Sequence, residues 1–471
     1  MADDQLPDSV VAAADAIKSG EMSARELTSA CIEKAERLQP KLNCFISFQP
    51  EKALAAADAL DALLLSGDPV GPLHGVPMAH KDMYYRVGEI STCGSKIRKN
   101  FRPDHTATVI ERLDDAGAIH LGSLNMAEFA FGPTGHNVHW GDCRNPWNTD
   151  HITGGSSGGT GSAVAARIAF AGLGSDTGGS VRLPSALCGL TGIKPTQTRV
   201  SRYGVMGLSF SLDNVGPLAR TVQDCARILG IIAGYDSNDA TSSNVPVDQY
   251  ESFTIDPKIK GLKIGVPKNY YYDEVTVEVR DLMNASLKIY EGLGAHIIEV
   301  NVPSHEKLTD LANVVMGSEA ATLHGAWLSE RPNDYSDQVL ARIQPGLSYP
   351  ATRYLQALQV RPKITHQFVE QVFNVCDVLH APVLGIPVPT IIDTDLKGNP
   401  GFATLLSQMT YCTRPANYLG LPAIAVPAGF TSNGLPSSFQ LIGRPFAEGV
   451  LFRIAAAYQN ATDWHRQAPE I

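Results

Sequence analysis

Two glycine-rich stretches decide the reading of this chain: Gly154-Gly-Ser-Ser-Gly-Gly-Thr-Gly161 and, one helix and one strand later, Gly174-Ser-Asp-Thr-Gly-Gly-Ser180. Glycines in such numbers let backbone N–H groups converge on one point without obstruction from side chains, which suits an oxyanion or a phosphate. A Walker-type phosphate loop ends in Gly-Lys-Ser/Thr, and neither stretch has that lysine. The dinucleotide fingerprint G-x-G-x-x-G also fails, because Gly178 falls one residue too late after Gly172-Leu-Gly174. The segment Gly155-Ser-Ser157-Gly-Gly159 matches G-x-S-x-G formally. That nucleophile elbow, however, needs an apolar strand before it, and Asn148-Thr-Asp-His-Ile-Thr153 is not one. An oxyanion bowl serving a serine is left as the better reading.

Working outward, helix-like apolar spacing over residues 8–38, broken at Ser19-Gly20, predicts two amphipathic helices, and Glu51 to Leu65 a third. The short apolar run before Lys81 reads as a buried strand with the lysine at its end. A helix is predicted over 105–118 and a strand from Ala118 to Ser123. The polar, glycine-dense stretch 132–159 is a loop too long to be idle. Thr160 to Ala166 reads as a helix, Ile168 to Leu173 as a strand and Gly174 to Ser180 as a turn. After a helix near 221–234, residues 236–258 are polar and linker-like, the best boundary candidate. A strand at 262–267, a helix at 275–292 and a strand at 296–302 then resume the pattern. Such alternation predicts an α/β fold, with one large domain built on a central mixed β-sheet flanked by helices.

Composition narrows the function. Of the 471 residues 44% are hydrophobic and 18% charged, as expected of a globular protein, and the net charge is −10 with no basic stripe. No nucleic-acid partner and no membrane partner is therefore expected. The 8 cysteines show no CxxC pair and no export signal precedes them, so reduced thiols and a cytoplasmic location are expected. Among the 13 histidines there is no HExxH, and His136-Asn-Val-His139 lacks a second ligand pair, so no metal and no cofactor is expected.

The residues closely resemble the amidase signature family. The likeness rests on Gly75-Val-Pro-Met-Ala-His-Lys-Asp82, on Gly154 to Gly159, and on Gly174-Ser-Asp-Thr-Gly-Gly-Ser-Val-Arg-Leu-Pro-Ser185. It continues through Cys188-Gly-Leu-Thr-Gly-Ile-Lys-Pro195 and, more weakly, Leu421-Pro-Ala-Ile-Ala-Val-Pro427 and Gln440-Leu-Ile-Gly-Arg444. It implies one amidase domain over 1–471: a helical segment 1–68, a signature core 70–220, the linker-like 236–258, and 259–471 completing sheet and pocket. By resemblance Ser180 is the nucleophile, Ser156 the bridging serine on a cis peptide bond, and Lys81 the base. Chemistry agrees, since a lysine activates a serine only when desolvation keeps it neutral.

The N–H groups of Thr177, Gly178, Gly179 and Ser180 are expected to hold the oxyanion. Ser157, placed just before a helix, is expected to cap it. Asp176 and Arg182 would brace the loop, and Met126, Phe129 and Phe131 are candidates for an acyl pocket. The expected substrate is a small amide or carbamate, and a homodimer is left open. Arg199-Val-Ser-Arg-Tyr-Gly204 looks like the family branch that serves as the glutaminase subunit of glutaminyl-tRNA amidotransferases. In that branch an aspartate is expected shortly before Thr-x-Pro-x-Asn; here Thr410 stands there, ahead of Thr413-Arg-Pro-Ala-Asn417. A non-catalytic scaffold relative is the remaining alternative. The segment 300–410, least like the family, is expected to hold the specificity determinants.

Overall fold

The computed structural model describes residues 6–305, 307–395 and 401–471. Its strands in chain order are β1 (Phe45–Phe48), β2 (Pro77–Lys81), β3 (Ile119–Leu124), β4 (Ala171–Asp176), β5 (Thr191–Lys194) and β6 (Asn214–Ala219). They continue with β7 (Lys263–Pro267), β8 (His296–Val300), β9 (Val378–Pro382), β10 (Ala423–Phe430) and β11 (Pro436–Ile442). Among the described residues these make one 11-stranded sheet in the order β1-β3-β2-β4-β6-β5-β10-β11-β9-β7-β8. It is mixed: β2 runs parallel to both β3 and β4, whereas β4–β6, β5–β6 and β10–β11 are antiparallel. Helices flank the sheet in a single-domain α/β architecture, as the alternating pattern predicts.

The central strands are buried along their whole length, and β2, β4 and β6 expose no residue to solvent. This is why their sequences read as apolar runs without polar alternation. Parallel β2 and β4 deliver their C-terminal residues, Lys81 and Asp176, to the same edge of the sheet. Binding sites of open α/β sheets form at such an edge. Antiparallel β6 brings Asn214 opposite Asp176.

One boundary differs from expectation. The strand predicted to stop at Leu173 runs from Ala171 through Asp176, pairing residue by residue with Ala219 to Asn214, and only Thr177 onward turns. Gly172 and Gly174 therefore serve close approach in a strand. A Cβ on Gly172 would lie 2.2 Å from the Ala79 carbonyl oxygen, and one on Gly174 2.6 Å from Ser157 Oγ.

The N-terminal helices form as predicted, over Val10–Lys18, Ala24–Leu42 and Pro50–Ser66. A Ser23–Glu26 capping box starts the second, and Gly67 in the left-handed region ends the third. The stretch 236–258 packs onto the body despite its linker-like composition. Asp236 accepts from Thr108 and Ser201 at 2.6 and 2.5 Å, and buried Tyr250 packs on Phe452. All eight cysteines are free and buried. No helix among the described residues is long and apolar enough to cross a membrane.

Candidate active site

Lys81 is 1% exposed at the end of β2. Its Nζ lies 2.6 Å from Ser156 Oγ and 2.8 Å from Ser175 Oγ. Burial pulls the ammonium down to about 7, against the opposing pull of Cys93, Asp213 and Asp176. Near neutrality a large share of Lys81 is therefore uncharged, as a base toward a hydroxyl must be.

Sequence reading missed Ser175. The glycines around it read as a turn, but the two-residue period of a strand extended to Asp176 separates Ser175 from its neighbours by face. Ser156 is fully buried, and the Gly155–Ser156 peptide bond is cis, as the resemblance implies. Gly155 has no room for a side chain, since its Cβ would sit 2.4 Å from the Gly132 carbonyl oxygen.

The loop after β4 is held by one buried ion pair. Arg182 donates from Nε and one Nη to the two oxygens of Asp176, both bonds 3.0 Å, and donates further to Asn417 and Gln440. Both partners are 0% exposed. Burial alone would raise the Asp176 carboxyl, yet the Arg182 guanidinium, Lys194 and Asn417 hold it at about 2. Asp176 also accepts the N–H groups of Gly179 at 2.8 Å and Val181 at 3.2 Å.

The expected four-donor bowl needs correction, because the Gly179 N–H is already committed to Asp176. Among the described residues, the N–H groups of Thr177, Gly178 and Ser180 meet no acceptor and stay available to an oxyanion. Thr177 Oγ1 donates to Asp213 at 2.5 Å, and Thr413 Oγ1 donates to the Gly178 carbonyl at 2.6 Å, fixing the loop from both sides. Ser180 is partly exposed at the floor of a cleft. Among the described residues its hydroxyl makes no hydrogen bond to Ser156, so the link from Lys81 reaches Ser156 and Ser175 but is open toward Ser180. Such links commonly tighten only when substrate is bound.

Two further expectations change. Ser157 holds the N-cap position of the helix Gly158–Ala165 without capping it; its hydroxyl points instead toward the Ser175 carbonyl at 3.5 Å. Of the three pocket candidates, only Phe131 lines the cleft over Ser180. Phe129 is core, packed on His324, Trp327 and Tyr335, and Met126 is fully buried against Gly94. The cleft is completed by residues from 300–410 and just beyond, including Ala312, Met316, Arg342, Thr410 and Arg414. Arg342 and Arg414 were not singled out in sequence, where arginines within helical patterns look like ordinary solvated ones.

A buried lysine joined to a serine on a cis bond, beneath a glycine loop in an 11-stranded mixed sheet, defines an α/β enzyme of the amidase class. The Amidase family model matches residues 26–452, and the chain belongs to the amidase signature family. Over 479 residues it is 40% identical to a glutamyl-tRNA(Gln) amidotransferase subunit from Halorhodospira halophila, covering 97% of each chain. It also superposes on a solved chain described as part of a vestigial protein complex that reveals the origins of an s-triazine catabolic enzyme. That match has a TM-score of 0.89 and 32% identity over 96% of this chain and 98% of the other. A bacterial aryl acylamidase gives a TM-score of 0.86 at 28% identity, covering 97% of each chain.

Proposed function

We propose that this chain hydrolyses the C–N bond of a small amide or carbamate through a Ser180 acyl-enzyme. The observation that carries this reading is the buried Lys81 Nζ 2.6 Å from Ser156 Oγ. Neutral Lys81 takes the Ser156 proton while Ser156 takes that of Ser180, whose oxygen bonds to the substrate carbonyl carbon. The negative charge gathers on the carbonyl oxygen, where the N–H groups of Thr177, Gly178 and Ser180 stabilise it. The relay run backwards protonates the departing nitrogen as the C–N bond breaks. Water then attacks the acyl-enzyme and leaves a carboxylic acid from an amide, a carbonic acid half-ester from a carbamate or a carbamic acid from a urea-type substrate, with Ser180 restored.

A second reading, the glutaminase subunit of a tRNA-linked amidotransferase, is favoured by the 40% identity to a protein of that kind along nearly the whole chain. A separate cavity of about 320 Å3 lined by Met83, Ser175, Asn214 and Val215 would give released ammonia a route away from the acyl cleft. The partners would then include other subunits and a tRNA-bound amino acid. Against it stands the absence of any carboxylate among the described residues lining the acyl cleft, where Thr410 stands instead, so the α-ammonium of glutamine would go unpaired.

The test is a fluorophosphonate probe followed by intact-mass analysis, together with a hydrolysis panel of primary amides, anilides, carbamates and glutamine. The wild type is expected to gain one adduct, lost in Ser180→Ala, and to cleave simple amides faster than glutamine. Absence of labelling would refute the nucleophile, and glutamine turnover matching that of simple amides would favour the second reading.

A further inference from the structure

Glu128 is a buried carboxylate that the relay does not use. It is 2% exposed, and among the described residues its ion-pair partner is a histidine, neither a lysine nor an arginine. Among those residues three donors converge on it: Ser95 Oγ at 2.7 Å and His139 Nε2 at 2.9 Å on one oxygen, and the Ser336 N–H at 2.8 Å on the other. Burial would raise the Glu128 carboxyl, yet the hydrogen bonds from His139, Ser336 and Ser95 hold it below the usual carboxylate range. Keeping such a charge out of water is costly unless its hydrogen bonds are complete.

These contacts join two walls of the cleft over Ser180. On one side Glu128 leads directly into Ala130, Phe131, Gly132 and Pro133, which line the cleft. On the other, Ser336 is the N-cap of the helix Asp337–Ile343, whose Arg342 also lines it. A second bond closes the pair, as Arg342 donates to the Phe131 carbonyl at 3.3 Å. The same segment reaches the relay, because the Ala127 N–H donates to the Ser156 carbonyl at 3.1 Å. Between these anchors Phe129 and Ala130 lie in the left-handed region, at φ 49° and 60°. Non-glycine residues keep that conformation only where their surroundings impose it, and such places cluster at functional sites.

We infer that Glu128 is a positioning residue, which clamps the helix Asp337–Ile343 to residues 130–133 and so sets the walls of the acyl cleft against the Ser156 relay. This rests on Ser180 as the nucleophile. A carboxylate is required because both of its oxygens accept; an amide offers one acceptor and turns an NH2 toward donors on its other side. Since the clamp seats the substrate and does not touch Lys81, its loss falls on KM and not on kcat.

The experiment measures kcat and KM for one reactive anilide in Glu128→Ala, Glu128→Gln, Ser336→Pro and Ser336→Ala, with active sites counted by fluorophosphonate labelling. Ser336 has φ −66°, and Tyr335 before it has φ −81° and ψ 154°, so proline fits the backbone there while removing the N–H. Glu128→Ala should raise KM by at least about 10-fold, the size of a charge-assisted contact, with kcat per labelled site within about 2-fold of the wild type. Ser336→Pro should raise KM to a similar extent, and Glu128→Gln should fall between it and the wild type. Ser336→Ala keeps the N–H and should raise KM by less than about 2-fold. Adding Ser336→Pro to Glu128→Ala should raise KM little further. A purely structural Glu128 would lower the count of labelled sites and leave KM unchanged. That result, or equal KM values for Ser336→Pro and Ser336→Ala, would overturn the inference; should Glu128→Ala not fold, the Ser336 pair alone decides. If the wild type is neither labelled nor active on the anilide, the Ser180 reading fails and this inference with it, an outcome distinct from an unchanged KM in labelled variants.

Discussion

Ser180→Ala should lower kcat/KM by about 10^4-fold or more, the usual cost of removing a serine nucleophile. Among the described residues beside Lys81, neither Ser156 nor Cys93 is placed to replace it. Ser156 is fully buried, and Cys93, which Lys81 feels, is a buried thiol pushed up to about 12. Because Lys81, Ser156 and Ser180 act as one relay, their losses should not add. Ser156→Ala combined with Ser180→Ala should be little worse than Ser180→Ala alone. Single-turnover and steady-state rates on one reactive anilide, with melting temperatures to show that the fold survives, would check this. Residual turnover within 10-fold of the wild type would remove Ser180 from the mechanism.

Arg182→Met should be the most damaging change to the fold near the site, costing about 3–5 kcal/mol because it leaves the Asp176 carboxylate buried without its cation. The nucleophile loop hangs on that carboxylate through Gly179 and Val181, so activity should fall along with stability. Asp176→Asn on top of Arg182→Met should recover part of the loss, since the stranded charge is then gone. Urea unfolding of both variants measures it. Asp176 is held at about 2, below the ordinary carboxylate value, so its contribution is fully present above about pH 4 and is lost as pH falls through 2. Arg182→Met should lose little further stability across that acid window, where the wild type loses it progressively.

Much of this was legible in the chain because local rules and the global fold agree. The helices of the first 66 residues have apolar spacing, a serine-glutamate box and a glycine stop, and they form where those signals fall. Lys81 is readable because an apolar strand ending in a lysine that cannot be solvated is a rare conjunction. The boundary of β4 was not readable, since glycine signals turns and close packing alike, and only the neighbouring Ala79 carbonyl and Ser157 hydroxyl tell them apart. The Gly179 donor was lost to Asp176 because a count of N–H groups says nothing about which of them another side chain has claimed. The pocket was least legible. Met126 and Phe129 have the composition of a pocket and the packing of a core, while the cleft draws on Ala312, Arg342 and Arg414, brought together only by tertiary contacts. The linker-like 236–258 shows the same limit, for its Asp236 accepts buried hydrogen bonds from Thr108 and Ser201.

The central claim is that an uncharged Lys81 drives acylation of Ser180, and the pH dependence of the acylation rate tests it most directly. Lys81 held near 7 predicts that kcat/KM for a neutral amide, or the rate of fluorophosphonate labelling, rises through a single ionisation at about pH 7 and levels off above it. In Lys81→Ala the rate should be far lower and that rise should be gone. A Lys81→Ala enzyme that keeps the same rise, or a wild type whose rate is flat from pH 6 to 9, would contradict the account.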